Sequence, residues 1–253
     1  MLFFKYHNLG NDFVILDDRD NQFQPDPKKI SLLCHRRCGI GADGLILLKK
    51  SLCSDIRMQI FNSDGYEADM CGNALFCSMR IFAEQFQWKK KTLSIETKRG
   101  VYEGRYEKED EIRFRLPKIK AKENIFFQNR KQEALIIDSG VDHLVLFVND
   151  FSFDLEKEGR SFRNQYQANV DFVMAEKDSA AVRTYEKGVE KETLACGTGA
   201  AAAFYAMHQK FLVSSLNIHF KNGNIFSFKE DTSVVLSQKA VFVFKGKSFS
   251  TFN

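Results

Sequence analysis

The chain has 253 residues, 44% of them apolar and 28% charged, which is the composition of an ordinary soluble protein. Its formal net charge of +4 is dispersed among acidic residues, so no nucleic-acid-binding stripe is indicated. The sequence also lacks the apolar core of a signal peptide, a run of membrane-spanning length and a dense disulfide framework, so we expect a cytoplasmic protein with reduced thiols that engages neither membrane nor nucleic acid.

The first half of the sequence is predicted to contain two helices between its strands. Asp26-Pro27 predicts the start of a helix over 27–37, because proline is tolerated in the first turn, and Gly39 is a plausible stop. A second helix over 72–87 has apolar residues at helical spacing. The predicted strands of this half are 2–6, 12–17, 45–48, 56–61, 92–98, 100–106 and 111–116.

A domain boundary is predicted at Leu116-Pro117-Lys118, since proline interrupts strand pairing and polar residues follow. This boundary gives an N-terminal lobe of residues 1–116 and a C-terminal lobe of residues 117–241. The C-terminal strand, 242–253, is a candidate to complete the N-terminal lobe.

The second half repeats the pattern of short strands with a helix, here running from Cys196 to about Phe211. Asn222-Gly223 is a strong hairpin signal between two of its strands. The predicted strands of this half are 134–139, 143–148, 170–175, 180–186, 216–220, 225–229, 233–237 and 240–245.

One short pattern occurs twice, about half the chain apart. Met70-Cys71-Gly72-Asn73 and Ala195-Cys196-Gly197-Thr198 each place a cysteine just before a helix, with a glutamate four residues upstream of each cysteine. Both helices are apolar on most faces, so each must be wrapped by strands. The sequence therefore predicts an α+β fold of two pseudo-symmetric lobes, with the two cysteines facing each other across the seam.

A thiol at a helix N-terminus suits acid–base chemistry. The helix dipole stabilises the thiolate, so the pKa of each thiol is expected to fall toward neutrality, and the first free N–H groups can hold a carboxylate. If two such termini flank a small acid, one thiolate can remove the α-proton while the opposite thiol returns a proton to the other face. That arrangement would invert the carbon.

Other interpretations remain open at this point. Buried cysteines usually pack without reacting, and a Cys71–Cys196 disulfide could form under oxidation. The Cys34 and Cys38 spacing lacks a second ligand pair for a metal, so we expect Cys34 on a helix face, Cys38 at the helix end, and Cys53 and Cys77 packed. A thiol redox protein and a non-catalytic amino-acid binder are the alternatives from other classes.

The chain resembles the diaminopimelate epimerases, which are amino-acid epimerases that work without pyridoxal phosphate. Beyond the two cysteine motifs, the resemblance rests on His7-Asn8-Leu9-Gly10-Asn11-Asp12-Phe13, Cys38-Gly39-Ile40-Gly41-Ala42-Asp43-Gly44, Phe61-Asn62-Ser63-Asp64-Gly65, Ala168-Asn169-Val170 and Tyr185-Glu186-Lys187-Gly188. It implies two lobes, each a β-barrel around a central helix with the active site in the cleft between them. It also implies interconversion of LL- and meso-diaminopimelate, without cofactor or metal, in enzymes that are often dimers.

The resemblance assigns roles by position. Cys71 and Cys196 correspond to the two bases, and His143 and Glu186 to polar residues that assist proton transfer. The residues implied in substrate binding are Asn11, Asn62, Gly72, Asn73, Asn169, Lys187, Gly197 and Thr198.

Three departures from the family pattern concern substrate selectivity. Val141 stands where the family usually has asparagine, Lys187 stands where it usually has arginine, and the loop before Cys196 is one residue longer. A lysine is a point charge on a flexible stem, whereas an arginine grips a carboxylate with two parallel hydrogen bonds. We therefore keep a broader racemase, acting on a shorter acid such as glutamate, as the alternative within the same chemistry.

Overall fold

A computed structural model of the chain describes residues 1–107, 111–116, 119–127, 132–231 and 233–247. The chain forms two compact units: unit 1 comprises Met1–Phe114 with Gln238–Asn253, and unit 2 comprises Arg115–Ser237. The first division thus follows Phe114 rather than Leu116, and the second follows Ser237 rather than residue 241. Pro117 and Lys118, which motivated the expected boundary, lie outside the described residues. Within the described ranges, no helix is both long and apolar enough to cross a membrane.

Unit 1 contains two helices and most of its strands in the first 106 residues. Its elements are β1 (Leu2–Asn8), β2 (Asn11–Asp17), α1 (Pro27–Cys34), β3 (Gly44–Lys49), β4 (Ile56–Asn62), β5 (Glu67–Ala68), α2 (Gly72–Gln85), β6 (Thr92–Thr97) and β7 (Gly100–Tyr106). β8 (Ile112–Arg115) crosses the boundary between the units.

Unit 2 follows with two further helices and the remaining strands except the last. Its elements are β9 (Lys120–Phe127), β10 (Gln132–Asp138), β11 (Asp142–Phe147), α3 (Leu155–Tyr166), β12 (Asn169–Ala175), β13 (Ser179–Glu186), β14 (Lys191–Thr193), α4 (Gly197–Phe211), β15 (Ser215–Phe220), β16 (Gly223–Glu230) and β17 (Ser233–Gln238). The last residue of β17, Gln238, already belongs to unit 1, and β18 (Val241–Lys247) lies wholly in unit 1.

The two units repeat one pattern of strand pairing. In unit 1, β1–β2 is antiparallel, β2–β3 parallel, β3–β4 and β4–β5 antiparallel, β4–β6 parallel and β6–β7 antiparallel. In unit 2, the order is the same for β10–β11, β11–β12, β12–β13, β13–β14, β13–β15 and β15–β16. The outer partner is also repeated, since β18 pairs antiparallel with β1 and β9 with β10. The predicted α+β fold with two related halves is confirmed.

Each unit has one central and one outer helix. α2 and α4 are central, because most of their residues are buried, including the whole run from Gly197 to Phe204 in α4. α1 and α3 are the outer crossovers that a parallel strand pair requires, and each buries only three residues. One face of β2, β3 and β4 packs on α1, and one face of β11, β12 and β13 packs on α3.

Two predictions about elements were wrong. The helix expected over 27–37 ends at Cys34, because the chain folds back there and Gly39 lies against its last turn. A Cβ on Gly39 would come within 1.9 Å of the Leu32 carbonyl oxygen, so only glycine allows this return. α3 and β9 are absent from the predicted elements, because the stretches that form them are largely polar. The sequence Glu107-Lys108-Glu109-Asp110-Glu111 also predicts a charged turn between two strands, and residues 108–110 of it lie outside the described part.

Candidate active site

The repeated strand pairing relates residues of the two units to one another. The β2–β3 pairing begins with Phe13 opposite Gly44, and the β11–β12 pairing begins with His143 opposite Asn169. Each ladder then continues through five residue pairs, and Cys71 and Cys196 precede the equivalent helices. We call the residues around Cys71 half-site 1 and those around Cys196 half-site 2.

In half-site 1, Cys71 is the N-cap residue of α2 and is partly buried. Its Sγ donates to Asn11 Oδ1 at 3.8 Å, and Asn73 Nδ2 donates to the same oxygen at 3.2 Å. Asn73 Oδ1 is buried and has no hydrogen-bond partner among the described residues. Asn62 lies exposed at the end of β4, and strand register makes it the counterpart of Glu186 at the end of β13.

Charged residues behind Asn11 fix the direction of its amide. Asn11 Nδ2 donates to Asp43 Oδ2 at 3.1 Å, and because a carboxylate only accepts, Asn11 Oδ1 must point toward Cys71 and Asn73. Arg36 bridges Asp43 and Asp12, and Lys5 contacts Asp12 at 2.7 Å. Burial alone would raise the pKa of Asp12, but hydrogen bonds from Arg36 and Lys5 hold this pKa well below its ordinary value.

Cys196 is the N-cap residue of α4 in half-site 2 and is more deeply buried than Cys71, with 7% of its surface exposed. Its Sγ accepts from Gly199 N–H at 3.4 Å and lies 3.4 Å from Thr198 Oγ1. Burial, Glu186 and Asp171 together raise the pKa of Cys196 well above its ordinary value, although the Gly199 N–H acts in the opposite direction. This direction is opposite to the expected fall toward neutrality, because burial and the two carboxylates outweigh the hydrogen bond from the Gly199 N–H.

A buried hydrogen-bonded chain extends from Cys196 into the sheet. His143 Nε2 lies 2.9 Å from Thr198 Oγ1, and His143 Nδ1 lies 2.6 Å from Asp171 Oδ2. Thr184 Oγ1 donates to Asp171 Oδ1 at 2.6 Å. His143, Asp171 and Thr184 have no exposed surface, so this chain is shielded from water.

Asn169 and a turn after β13 complete half-site 2. Asn169 Nδ2 donates to the Asp142 carbonyl at 3.1 Å and lies 3.4 Å from His143 Nε2, while Asn169 Oδ1 accepts from Lys187 N–H at 2.9 Å. Glu186 ends β13 and is partly buried; burial raises the pKa of its carboxyl above the ordinary value. The Lys187 ammonium is exposed and donates to the Gln167 carbonyl at 2.8 Å.

Within each unit, several of the candidate site residues lie close together. Half-site 1 brings together Cys71, Gly72, Asn73 and Asn11. Half-site 2 brings together Cys196, Gly197, Thr198, His143, Asn169 and Glu186. Gly72 and Gly197 are the first residues of their helices, where N–H groups lack intrahelical acceptors.

The remaining cysteines are of two kinds. Cys34 and Cys77 are buried, as expected, and burial raises the pKa of Cys34 to about 11 and that of Cys77 well above its ordinary value. Neither precedes a helix, since Cys34 ends α1 and Cys77 lies within α2. Cys38 and Cys53 are exposed, so the expected packing of Cys53 was wrong. Across the described part of the chain, no three His, Cys, Asp or Glu side chains are grouped to hold a metal ion.

Sequence reasoning missed three polar residues of half-site 2: Asp171, Thr184 and Ser139. Ser139 Oγ donates to the Thr198 carbonyl at 2.9 Å. A signal for Asp171 was available, because it is a carboxylate between Val170 and Phe172 in a strand that reads as fully buried. A charge at such a position needs a partner in the core.

Comparison with known sequences finds matches to a single family in the family model and in both relatives described below. The family model described as diaminopimelate epimerase matches residues 3–119 and 135–243. A diaminopimelate epimerase of Nitratiruptor sp. is 40% identical over 211 residues, covering 83% of this chain and 82% of the relative. A diaminopimelate epimerase of Campylobacter lari is 37% identical over 252 residues, covering 98% of this chain and 95% of the relative.

Solved structures share the fold at low sequence identity. A phenazine biosynthesis protein from Bacillus anthracis superposes with a TM-score of 0.77 at 16% identity, covering 99% of each chain. A hydroxyproline epimerase from Agrobacterium vitis superposes with a TM-score of 0.71 at 13% identity, covering 97% of this chain and 91% of the other.

Proposed function

The chain belongs to the diaminopimelate epimerase family, and we propose that it inverts the α-carbon of its substrate with two thiols, those of Cys71 and Cys196. It is an isomerase that interconverts LL- and meso-diaminopimelate, a step toward lysine and peptidoglycan. The two-thiol mechanism is our proposal.

One observation carries this mechanism: both units of the repeat place a cysteine at the N-cap of their central helix. Beside each cysteine, the first N–H groups of the helix are available to a carboxylate. Inversion requires that the two thiols reach opposite faces of one α-carbon. One thiolate then takes the α-proton and the other thiol donates a proton to the opposite face.

The neighbouring polar residues have roles that follow from their contacts. The N–H groups of Gly72, Asn73, Gly197 and Thr198 would hold the α-carboxylate. Asn73 Oδ1, for which the described part of the chain supplies no hydrogen-bond partner, is an acceptor suited to the α-ammonium group. Asn11, Asn62, Asn169 and Lys187 would contact other parts of the substrate, and His143 and Glu186 would assist proton transfer.

Solvent-deuterium incorporation tests the mechanism. Diaminopimelate incubated with the protein in D2O is expected to gain deuterium at the inverted α-carbon. Cys71→Ser and Cys196→Ser are each expected to lower kcat by at least about a hundredfold, since a hydroxyl is a far poorer base than a thiolate. Cys53→Ser, which changes an exposed cysteine, is the matched control and should leave turnover unchanged. Turnover near the wild-type rate in either active-site variant would exclude that thiol as a base.

Broader substrate use is the second candidate, and the environment of Lys187 favours it. Its ammonium is engaged with the Gln167 carbonyl rather than presented as an arginine fork, and Val141 offers no side-chain hydrogen bond. We propose that selectivity for the far end of diaminopimelate is relaxed, so that glutamate is also racemised. Parallel assays of both substrates test this, and Lys187→Arg should raise the preference for diaminopimelate. The absence of detectable glutamate racemisation in this assay would contradict the proposal of relaxed selectivity.

We also propose that the protein is a cytoplasmic homodimer. Four apolar side chains along the paired strands β1 and β18 are exposed, namely Leu2, Val241, Val243 and Phe244, with between 44% and 56% of their surface accessible. Exposed apolar surface of this kind is suited to covering by a second copy. Sedimentation velocity should show a dimer, and Val243→Glu should shift it to monomer. A wild-type monomer at all concentrations would refute the assembly.

A further inference from the structure

Two backbone groups determine which ring nitrogen of His143 carries the proton. The Lys187 N–H can only donate, so the atom of Asn169 that faces it must be Oδ1. The Asp142 carbonyl can only accept, so the atom of Asn169 that faces it must be Nδ2. Asn169 therefore presents an N–H group toward His143 Nε2, at 3.4 Å.

The carboxylate on the other side of the ring agrees with this assignment. Asp171 Oδ1 accepts from Thr184, and Asp171 Oδ2 lies 2.6 Å from His143 Nδ1. A buried carboxylate needs donors, so Nδ1 carries the proton. Nε2 is then an unprotonated acceptor, and the hydroxyl of Thr198, 2.9 Å away, donates to it.

Thr198 thereby connects the imidazole to the thiol. Because its hydroxyl proton is given to His143, its oxygen can accept the S–H proton of Cys196, 3.4 Å away. The donors and acceptors run in one direction from Cys196 through Thr198 and His143 to Asp171. Further polar groups near these residues are Glu186 of β13, Asn169 of β12 and Ser139, which donates to the Thr198 carbonyl.

Half-site 1 has apolar residues at the positions where half-site 2 has the hydrogen-bonded series from Cys196 to Asp171. By strand register, Phe13 is equivalent to His143, Ile46 to Asp171 and Ile60 to Thr184. All three are buried, on the face of the sheet opposite to the one that packs on α1. The two halves of the repeat therefore differ in what lies beneath the thiol.

We propose that Asp171 and the Thr198 hydroxyl are positioning groups that make His143 the proton acceptor for Cys196, and that this device serves Cys196 alone. In the step, the S–H bond of Cys196 breaks as an O–H bond forms on Thr198. The former hydroxyl proton of Thr198 passes to His143 Nε2. The products are a Cys196 thiolate and an imidazolium beside the Asp171 carboxylate, with no net change in charge. This proposal rests on the proposed two-thiol function.

The wild-type protein provides the first test without substrate. Nitrogen-15 NMR of the histidine side chains, with His143 assigned by its loss in His143→Gln, is expected to show Nδ1 protonated and Nε2 unprotonated near pH 8. A ring that carries its proton on Nε2 would overturn the proposal. This measurement does not depend on how any variant of Thr198 or Asp171 folds.

A matched pair of variants provides the second test. Thr198→Val removes the hydroxyl at nearly constant size, whereas Thr198→Ser keeps it. We expect the valine variant to lose about a hundredfold in kcat with KM changed by less than about threefold, and the serine variant to stay within about threefold of wild type. Asp171→Asn should lower kcat similarly. Wild-type kcat in Thr198→Val together with loss of activity in Glu186→Gln would show that the proton goes to Glu186 instead, and would overturn the proposal.

Alkylation separates this proposal from the proposed function. Mass spectrometry of the Cys196 and Cys71 peptides after iodoacetamide treatment should show slower reaction of Cys196 in Thr198→Val and an unchanged rate for Cys71. Equal rates for Cys196 in wild type and Thr198→Val would count against the relay. If the NMR and alkylation results hold but the wild type exchanges no α-hydrogen of diaminopimelate, the proposed function fails while the relay stands.

Discussion

Gly199 occupies the first turn of α4, where the Asp171 carboxylate comes closest to the helix. A Cβ at this position would lie 2.7 Å from Asp171 Oδ1, 3.2 Å from Cys196 Cβ and 3.3 Å from Thr184 Oγ1. Alanine is normally the better helix residue by about 1 kcal/mol. Here the space is taken by a buried carboxylate held between two hydrogen bonds, so the methyl group cannot be accommodated without moving it.

Gly199→Ala is therefore expected to destabilise the protein, against the usual trend for a glycine in a helix. Overpacking costs about 1–3 kcal/mol, which exceeds the gain in helix propensity. Urea unfolding should show a net loss of about 1 kcal/mol, and kcat should fall at least about tenfold because Asp171 is displaced from His143. A variant that is more stable than wild type and fully active would contradict this account of the close approach.

Because the pKa of Glu186 is raised, its ionised carboxylate lowers the free energy of unfolding at neutral pH. Burial raises the pKa in the folded protein above the value in the unfolded chain, so the folded state binds the proton more tightly. The folded state therefore loses stability as pH rises through this raised pKa, and below the unfolded value of about 4.5 the cost disappears.

Glu186→Gln should accordingly raise the free energy of unfolding near pH 7.5 and leave it nearly unchanged near pH 4. The gain is about 1.4 kcal/mol for each unit by which the folded pKa exceeds the unfolded one. Urea unfolding of wild type and variant at both pH values measures the difference. A difference that does not vary with pH would show that ionisation of Glu186 is not its cause. Activity should fall in the same variant, since stability and function compete at this position.

Among the structural elements, the turn that follows β13 determines where Glu186 and Lys187 lie. Glu190 closes this turn: its N–H donates to the Glu186 carbonyl at 2.8 Å, and its Oε1 accepts from Gly188 N–H at 3.0 Å. Arg163 of α3 holds the same carboxylate at 2.6 Å. The longer loop before Cys196 is thus an ordered turn tied to the outer helix.

Glu190→Gln tests whether this tie matters for catalysis. We expect kcat/KM for diaminopimelate to fall by about tenfold or less, because the ion pair with Arg163 is lost and the turn that carries Lys187 is less constrained. Stability should change by at most about 1 kcal/mol, since the Glu190 side chain is 43% exposed. Val189→Ala, at an exposed position in the same turn, is the control and should have the wild-type kcat/KM. Equal values in Glu190→Gln and wild type would exclude the role.

The helices and strands show which parts of a fold a sequence can predict. The α4 helix and the Asn222-Gly223 hairpin are confirmed, because alanine content and turn chemistry are local signals. α3 was missed because its sequence is mostly polar and only Leu155, Gly159 and Phe162 are buried. Its requirement is not local: a helix had to join the parallel strands β11 and β12, as α1 joins β2 and β3.

The site shows the same division between local and distant information. The N-cap positions of Cys71 and Cys196 followed from each cysteine preceding a helix-forming segment. The contact of His143 with Asp171 depends on strand register, and the contact of His143 with Thr198 depends on how α4 packs on the sheet. The prediction of a low pKa for Cys196 failed for the same reason. Its burial and the nearby carboxylates arise only when the unit folds, and they raise this pKa.

At the scale of the whole molecule, the two units differ in where their outer strand comes from in the sequence. Unit 2 is one continuous segment, with β9 as the outer partner of β10. Unit 1 is discontinuous, because the outer partner of β1 is β18, at the other end of the chain. Without β18, the Phe3–Phe244 and Tyr6–Phe242 ring contacts would be lost and the edge of β1 would be unpaired.

This difference predicts unequal behaviour of fragments. Residues 115–237 expressed alone should unfold in a single cooperative transition, because all the strand pairs of the β10–β16 repeat lie within that segment. Residues 1–114 alone should fail to fold, since Tyr6 and Phe4, both buried in the intact protein, would sit on an open strand edge. Joining 238–253 to the end of 1–114 through a flexible glycine-serine linker should restore a cooperative transition. Urea unfolding followed by circular dichroism distinguishes the three fragments. Cooperative folding of 1–114 without the C-terminal strand would mean that β1 is stabilised by α2 and β2 alone, and that the return of the chain to unit 1 serves some purpose other than its stability.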